Sequence, residues 1–381
     1  MPSRLQHLAL RVALPIAACS LVLGFGTVMA QDDAEHQEIG HTSVFATFPF
    51  PGHPFGIAVD DDKIYVDTSR GDFFASQTNS AGERLFVLNK HGHILQTVTI
   101  PTMPDATMGL WGIALDGNHG RDHRAYVADM NGRILRVNIG EARPTFDVFS
   151  TPPPPFDTGD WHTTMWNDLA FDRAGNLLMT DDKPRLWRVT PDGRAAVYFE
   201  DPRLLGLVGF AGGPLGGRID PTSQWFYFSI TLSAEFPGDA VIYRLRLVDH
   251  PTAADLQLVH RFPAVAGQIP PQASGIAFAR SGNLYVGLIG PNQIAMLDPS
   301  GNEIRRISSP LFESPWGFAF LGDSLLVTNA DINPVENPRK WVVSRVFVGE
   351  PGLPLNRPRT ASDPLHQLLA TLTRASGASA F

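Results

Sequence analysis

The sequence predicts an all-β fold: a six-bladed β-propeller with four-stranded blades, its ring closed by an N-terminal strand. Three observations lead there. One phrase (glycine, an apolar–small–apolar trio, a turn, then a β-branched or aromatic strand) recurs six times along 381 residues. Its copies start about fifty residues apart, which is the length of one blade. The chain carries 35 Gly and 32 Pro, while only 18% of residues are charged. That is a folded, turn-rich composition, since a disordered chain carries more charge and less apolar surface.

The copies read GIAVDDDKIYVD at Gly56–Asp67, GIALDGNHGRDHRAYVAD at Gly112–Asp129 and DLAFDRAGNLLMTD at Asp168–Asp181. A degenerate fourth, GRIDPTSQWFYFSIT, spans Gly217–Thr231. GIAFARSGNLYVGL at Gly275–Leu288 and GFAFLGDSLLVTN at Gly317–Asn329 complete the set. Each holds two short strands around a Gly, Asp or Asn turn, which is hairpin chemistry. Further strand pairs fill the gaps, such as Arg84–Asn89 with Ile94–Ile100 and Arg133–Asn138 with Thr145–Ser150. Thr190-Pro191-Asp192-Gly193 and Asp298-Pro299-Ser300-Gly301 mark turns in the outer pairs. The last copy leaves room for three strands before Gly349, so the strand-like segment Ser43–Phe50 is expected to pair with the last blade. Closure protects edges that otherwise invite aggregation. A β-sandwich would not require a six-fold phrase.

Residues 1–30 read as a secretory signal, which makes the protein secreted or periplasmic. Arg4 and Arg11 lead an apolar stretch, Val12 to Val28, and Val28-Met29-Ala30 offers small-residue cleavage before Gln31. A retained anchor fits less well, because Pro15, Gly24 and Gly26 break the run. Ile16-Ala17-Ala18-Cys19 resembles a lipobox, but the apolar run continues past it. No stable membrane span is expected after removal. Cys19 is the only cysteine, so the mature chain would have no disulfide and no thiolate site. The propeller is assigned to 31–352 and a tail to 353–381. Within the tail, Pro364, Leu365, Leu368, Leu369 and Leu372 predict a short amphipathic helix over 362–373.

The net charge is −8 without a basic patch, which argues against a nucleic-acid partner. The expected partner is a small-molecule substrate, and the chain is read as a monomer. In a propeller the starts of the innermost strands and the ends of the second strands converge on one mouth of the channel, the default place for a site. The first set supplies His53, Phe55, Trp111, Trp166, Asn167, Ser274 and Trp316 as candidate substrate contacts. The second set supplies Asp67, Asp129, Asp181, Asp182 and Asn329. Asp at a strand end also caps turns unaided. Asn167-Asp168 stands out because the other clear copies have Gly where Asp168 stands. Carboxylates suit a hard divalent cation such as calcium, and Asp168, Asp129 and Asp181 are the candidate ligands. Asp168 or His162 is the candidate catalytic base. No P-loop, HExxH, GxSxG or dinucleotide fingerprint is present.

Over residues 43–349 the sequence resembles the gluconolactonase/regucalcin-type propellers. NDLAFDRAGNLLMTD, SGIAFARSGNLYVG and AMLDPSGNEI carry the likeness. The resemblance implies a hydrolase of lactones or esters using one divalent metal in the channel, and the N-terminal signal adds that it is exported. Two of the ligands it implies are replaced. The first-blade Glu of a PEG phrase falls on Pro54-Phe55-Gly56, and the later Asp of a PDG phrase on Ala273-Ser274-Gly275. The fourth-blade Asn has no clear match in 212–217. Only Asn167 with Asp168 meets the family's polar pair. The blade phrase is equally similar to non-catalytic NHL-type propellers, which recognise a protein, peptide or glycan. A quinone-dependent redox propeller is weaker, for its tryptophan-docking repeats are missing.

Overall fold

Each repeat copy folds as the two inner strands of one blade. The computed structural model describes residues 37–49, 52–69, 83–101, 109–117, 123–130, 132–156, 164–207, 212–331, 341–354 and 356. The predicted signal, His162 and the predicted helix at 362–373 lie outside the described residues.

β1 (Thr42–Thr47) is set aside by the first blade, which runs outward from the channel as β2 (His53–Asp60), β3 (Lys63–Ser69), β4 (Glu83–Asn89) and β5 (Ile94–Ile100). Blade 2 is β6 (Leu110–Leu115), β7 (Arg124–Asp129), β8 (Arg133–Asn138) and β9 (Thr145–Ser150). Blade 3 is β10 (Trp166–Phe171), β11 (Leu177–Asp181), β12 (Arg185–Val189) and β13 (Ala195–Glu200). Blade 4 is β14 (Pro214–Ile219), β15 (Trp225–Ile230), β16 (Ala240–Arg246) and β17 (Leu256–Phe262). Blade 5 is β18 (Ala273–Phe278), β19 (Leu284–Leu288), β20 (Gln293–Leu297) and β21 (Glu303–Ser308). Blade 6 takes β22 (Pro315–Leu321), β23 (Ser324–Asn329) and β24 (Val342–Phe347) from the end of the chain, and β1 pairs antiparallel with β24 as its fourth strand.

Burial follows position. β6 and β18 are buried throughout, whereas the outermost β9 and β21 are mostly exposed. The sequences match: LWGIAL and ASGIAF inside, TFDVFS and EIRRIS outside. The core is six apolar clusters, one at each seam between neighbouring blades. Turn chemistry holds the hairpins. In Asp298-Pro299-Ser300-Gly301 the Asp298 carboxylate accepts from the N–H groups of Ser300 and Asn302, and Gly301 takes a φ of 87°.

One irregularity repeats six times. Each innermost strand breaks register with its partner just before or at the phrase glycine: between Pro54 and Ile57, Leu110 and Gly112, Trp166 and Leu169, Pro214 and Gly217, Ala273 and Ile276, and Pro315 and Phe318. This bulge frees a backbone N–H, and a side chain from the second strand receives it. Gly56 N donates to Asp67 Oδ1 (2.6 Å), Asp168 N to Thr180 Oγ1 (2.9 Å), Gly216 N to Ser229 Oγ (3.0 Å) and Gly317 N to Thr328 Oγ1 (2.7 Å). The same hydroxyls reach the next blade: Ser229 Oγ donates to Ser274 O and Thr328 Oγ1 to Phe55 O, each at 2.6 Å. The bulges touch across the seams. A Cβ on Gly112 would lie 2.7 Å from Asn167 O, and one on Gly216 would lie 2.6 Å from the Gly275 Cα.

The Cβ of Gly275→Ala would fall well inside van der Waals contact distance of the Trp316 carbonyl oxygen. Both partners are backbone and have no rotamer with which to relieve the clash. The expected outcome is a loss of about 1–3 kcal/mol, as for core overpacking, measured by denaturant unfolding.

Candidate functional site

The channel has two mouths: an upper one where the innermost strands begin and a lower one where they end. Side chains alternate along a strand, so one residue of offset decides which of them meet. The residue just before each bulge position is Phe55, Trp111, Asn167, Leu215, Ser274 or Trp316. Phe55, Trp111 and Trp316 form one cluster at the top of the channel. The Phe55 and Trp111 rings stack at 5.0 Å and 6°, and Trp316 meets them edge-on at 5.1 and 4.8 Å. Leu215, Met165, Met130 and Ile289 complete the plug. All three rings are buried, at 1%, 3% and 4% exposure.

Trp166 does not join them. It sits one residue earlier in the repeat than Trp111 and Trp316, so it turns into the seam between blades 2 and 3 and meets Trp187 at 5.7 Å. The expectation that the three tryptophans share one wall is corrected by that offset. His53 is buried at the blade 1–6 seam, with Nδ1 2.9 Å from Ala330 O and its ring against Trp341. Ser274 is buried and donates to Pro315 O at 2.6 Å, in the space that Gly287 leaves by lacking a Cβ. It is another link between blades.

The same offset separates the aspartates. In the second strands Asp67, Ala128, Thr180, Ser229, Gly287 and Thr328 share one slot, facing the bulge. Asp129, Asp181 and Asn329 stand one residue later and point the other way. Asp129 accepts from Arg133 Nε at 2.5 Å. Asp181 accepts from Met165 N, Arg185 Nε and Trp187 Nε1 at 3.0, 2.7 and 2.8 Å. These are turn and blade anchors.

Asp168, at the bulge of β10, is turned toward blade 4. Its Oδ2 accepts from Gly217 N (3.1 Å) and Arg218 Nη1 (2.5 Å), and its Oδ1 from Leu169 N (2.9 Å). Asn167 donates through Nδ2 to Pro214 O at 2.9 Å, while its Oδ1 is buried without a partner among the described residues. Asn167, Asp168 and Arg218 line a waist that leaves about 10 Å³, near the room for one water. Below the waist the channel widens into a cavity of about 380 Å³ that Arg218 also lines.

Sequence reasoning missed Arg218, although a signal was present. The position two after the bulge glycine is Ala58, Ala114, Ala170, Ala277 and Ala319 in the other blades. Only the degenerate fourth copy places a long cation there.

The proposed metal set does not assemble. Among the described residues no three His, Cys, Asp or Glu side chains gather closely enough to hold an ion. Asp129 and Asp181 are engaged by their own arginines, Phe55 and Ser274 stand where the resemblance implies Glu and Asp, and the Arg218 guanidinium already neutralises Asp168. The donors present do not fit a divalent cation.

Asp67 occupies a slot that holds a hydroxyl in blades 3, 4 and 6. Burial pushes its pKa up to about 8, the Gly56 N–H opposes this, and the charge of Asp168 adds to it. Asp182, beside Gly212 and Gly213 at the upper mouth, is likewise pushed up to about 7 by burial.

No protein-family profile matches the chain, and no curated protein does. Solved structures match its fold. A calcium-binding regucalcin from Agrobacterium tumefaciens is 16% identical, with a TM-score of 0.59, covering 83% of this chain and 97% of its own. A luciferin-regenerating enzyme is 16% identical at a TM-score of 0.54, covering 81% and 96%. A candidate gluconolactonase is 16% identical at a TM-score of 0.54, covering 82% and 94%. At this identity the likeness carries the six-bladed architecture, and the site must be read from its own residues. Among the described residues no helix is long and apolar enough to cross a membrane.

Two outcomes follow. An unfolded Asp titrates near 4, so between about 4 and 8 the folded state holds a proton on Asp67 that the unfolded chain lacks. Asp67 therefore makes stability fall as pH rises through that window and level off above it. Asp67→Asn should flatten that slope in denaturant unfolding at pH 5 to 9. Arg218→Met strands the Asp168 charge and should cost about 3 kcal/mol. Adding Asp168→Asn should recover part of that loss in a double-mutant cycle.

Proposed function

We propose that this protein is an exported small-molecule propeller that takes a carbonyl compound of the lactone or ester class at the centre of its channel and hydrolyses it without a metal. The observation that carries the reading is the Asp168–Arg218 pair at the waist, where guanidinium N–H donors stand at the place in the channel that the resemblance gives to an ion. Arg218 donates to the carbonyl oxygen and stabilises the charge that develops on it. Water oxygen bonds to the carbonyl carbon, the acyl C–O bond breaks, and the water proton passes by way of the Asp168 carboxylate to the departing alkoxide oxygen. Export rests on the arginine-led apolar N-terminus. The small-molecule substrate and the monomeric state belong to the same proposal.

A second reading has its own support. Asp168 already accepts three hydrogen bonds, which occupies lone pairs that a proton acceptor would use and favours a propeller that binds without turnover. Here the ligand is a small molecule in the cavity below the waist, and an NHL-type partner on the upper face would be a different outcome of the same reading.

The full chain assayed against a panel of lactones and aryl esters, with calcium and with chelator, separates these outcomes. Turnover that survives chelation and is lost in Asp168→Asn supports the proposal. Saturable binding without turnover supports the second reading. Turnover that chelation removes overturns the metal-free centre.

A further inference from the structure

The lower cavity is built by repetition with one exception. The residue two past each bulge glycine is small in five blades, and Ala114, Ala170, Ala277 and Ala319 line the cavity from four of them. They share the wall with larger apolar side chains such as Phe171, Phe278, Phe318 and Phe320, and the cavity they leave is about 380 Å³, within the range of pockets that take small ligands. In blade 4 the same position is Arg218. The wall is largely apolar, with Arg218 the cation at its waist end.

The side wall is contributed by the chain after the last strand. Residues 351–354 lie along the end of β18. Arg280 N donates to Pro351 O at 2.8 Å, Leu353 N donates to Phe278 O at 2.9 Å, and Gly352 bridges Ala279. Gly352 is pressed on the Phe320 ring, where a Cβ would collide. This strap makes Leu353 and Pro354 part of the wall, so the pocket is more than the bore of the ring. Its roof is the 10 Å³ waist beneath the aromatic plug. No ligand larger than water passes there, and among the described residues the cavity opens at the lower mouth.

Charge selects the ligand. Arg218 spends Nη1 on Asp168 Oδ2 and Gly217 O, and among the described residues Nε and Nη2 carry no hydrogen bond. Those N–H groups are donors without net charge behind them, because Asp168 cancels the guanidinium. A second carboxylate on Arg218 would be repelled by Asp168. At the rim Asp61 and Arg280 again sum to zero. A neutral acceptor meets no such opposition, and its carbonyl oxygen fits a donor fork of this geometry.

We infer that the lower cavity is the binding site for an uncharged lactone or ester with an apolar body, its carbonyl oxygen on Arg218 and its hydrocarbon among the alanines and the 351–354 strap. The inference rests on the proposed function in using the same arginine, and it fixes which mouth admits the ligand and that the ligand is neutral.

Calorimetric titration of the full chain with δ-decalactone, and separately with decanoate, tests it. The lactone should bind at least tenfold more tightly than decanoate. Ala319→Leu, in blade 6 and so across the ring from the Asp168–Arg218 pair, adds bulk at the cavity wall and should weaken lactone binding at least tenfold, with retention of the fold checked by denaturant unfolding because Ala319 also packs in the blade 6–1 seam. Arg218→Met with Asp168→Asn, which leaves no stranded charge, should weaken it similarly. Equal or tighter decanoate binding overturns the neutral-ligand inference. Lactone binding untouched by Ala319→Leu places the ligand elsewhere and overturns the lower-mouth site, as does no binding by the wild type. Binding that follows these expectations without hydrolysis sinks the catalytic reading alone. Hydrolysis indifferent to Ala319→Leu sinks this inference alone.

Discussion

The close approach of six innermost strands around the channel is the constraint on which everything else depends. A propeller closes only if each inner edge can lie against the next, and here the backbones meet at the bulge. That contact requires glycine or an equally justified exception at Gly56, Gly112, Asp168, Gly216, Gly275 and Gly317. It also leaves a backbone N–H without a ladder partner, which a buried strand cannot tolerate. The second strand answers with Thr180, Ser229 or Thr328, whose hydroxyl accepts that N–H and donates to a carbonyl of the next blade. Closing the ring and satisfying its backbone are therefore one interaction.

The departures from the ring's rule are where chemistry enters. Asp67 takes a hydroxyl's slot and is held largely protonated at neutral pH by burial. Asp168 takes a glycine's slot, and Arg218 takes an alanine's. The last two are compensating: a carboxylate at the blade 3 bulge has no neutral reason to be there, and the arginine from blade 4 neutralises it. Neither substitution would be tolerable alone in so enclosed a place, since a buried charge without a partner is strongly destabilising.

The architecture was legible because it is written six times. Repeat spacing, turn residues and the spare strand near the N-terminus are all local or periodic signals, and the structure has the six four-stranded blades they predict. The site was legible only in part. Asn167-Asp168 was visible as a break in the glycine pattern. Trp166, Asp129 and Asp181 were misplaced because strand periodicity is two: a residue one step out of register belongs to the seam and not to the channel. Arg218 was overlooked because the fourth copy was read as degenerate. Aligned on its bulge, Gly216 matches the phrase glycine, and the arginine then stands out against five alanines. A degenerate repeat thus carried the main functional signal.

The same alignment explains why a shared ring does not settle a shared mechanism. The seams and the hydroxyl links are what a six-bladed propeller needs to close, and they account for structural likeness at 16% identity. The positions that line the channel are free of that requirement, since one side chain of six can change without opening a seam. In this chain an aromatic plug fills the top of the channel and an Asp168–Arg218 pair stands at the waist, so among the described residues the open concavity of the channel lies on the other side. A reading carried over by fold alone would search the upper mouth for an ion. The chain's own residues direct attention below the waist, to the arginine that stands where the other five blades carry alanine.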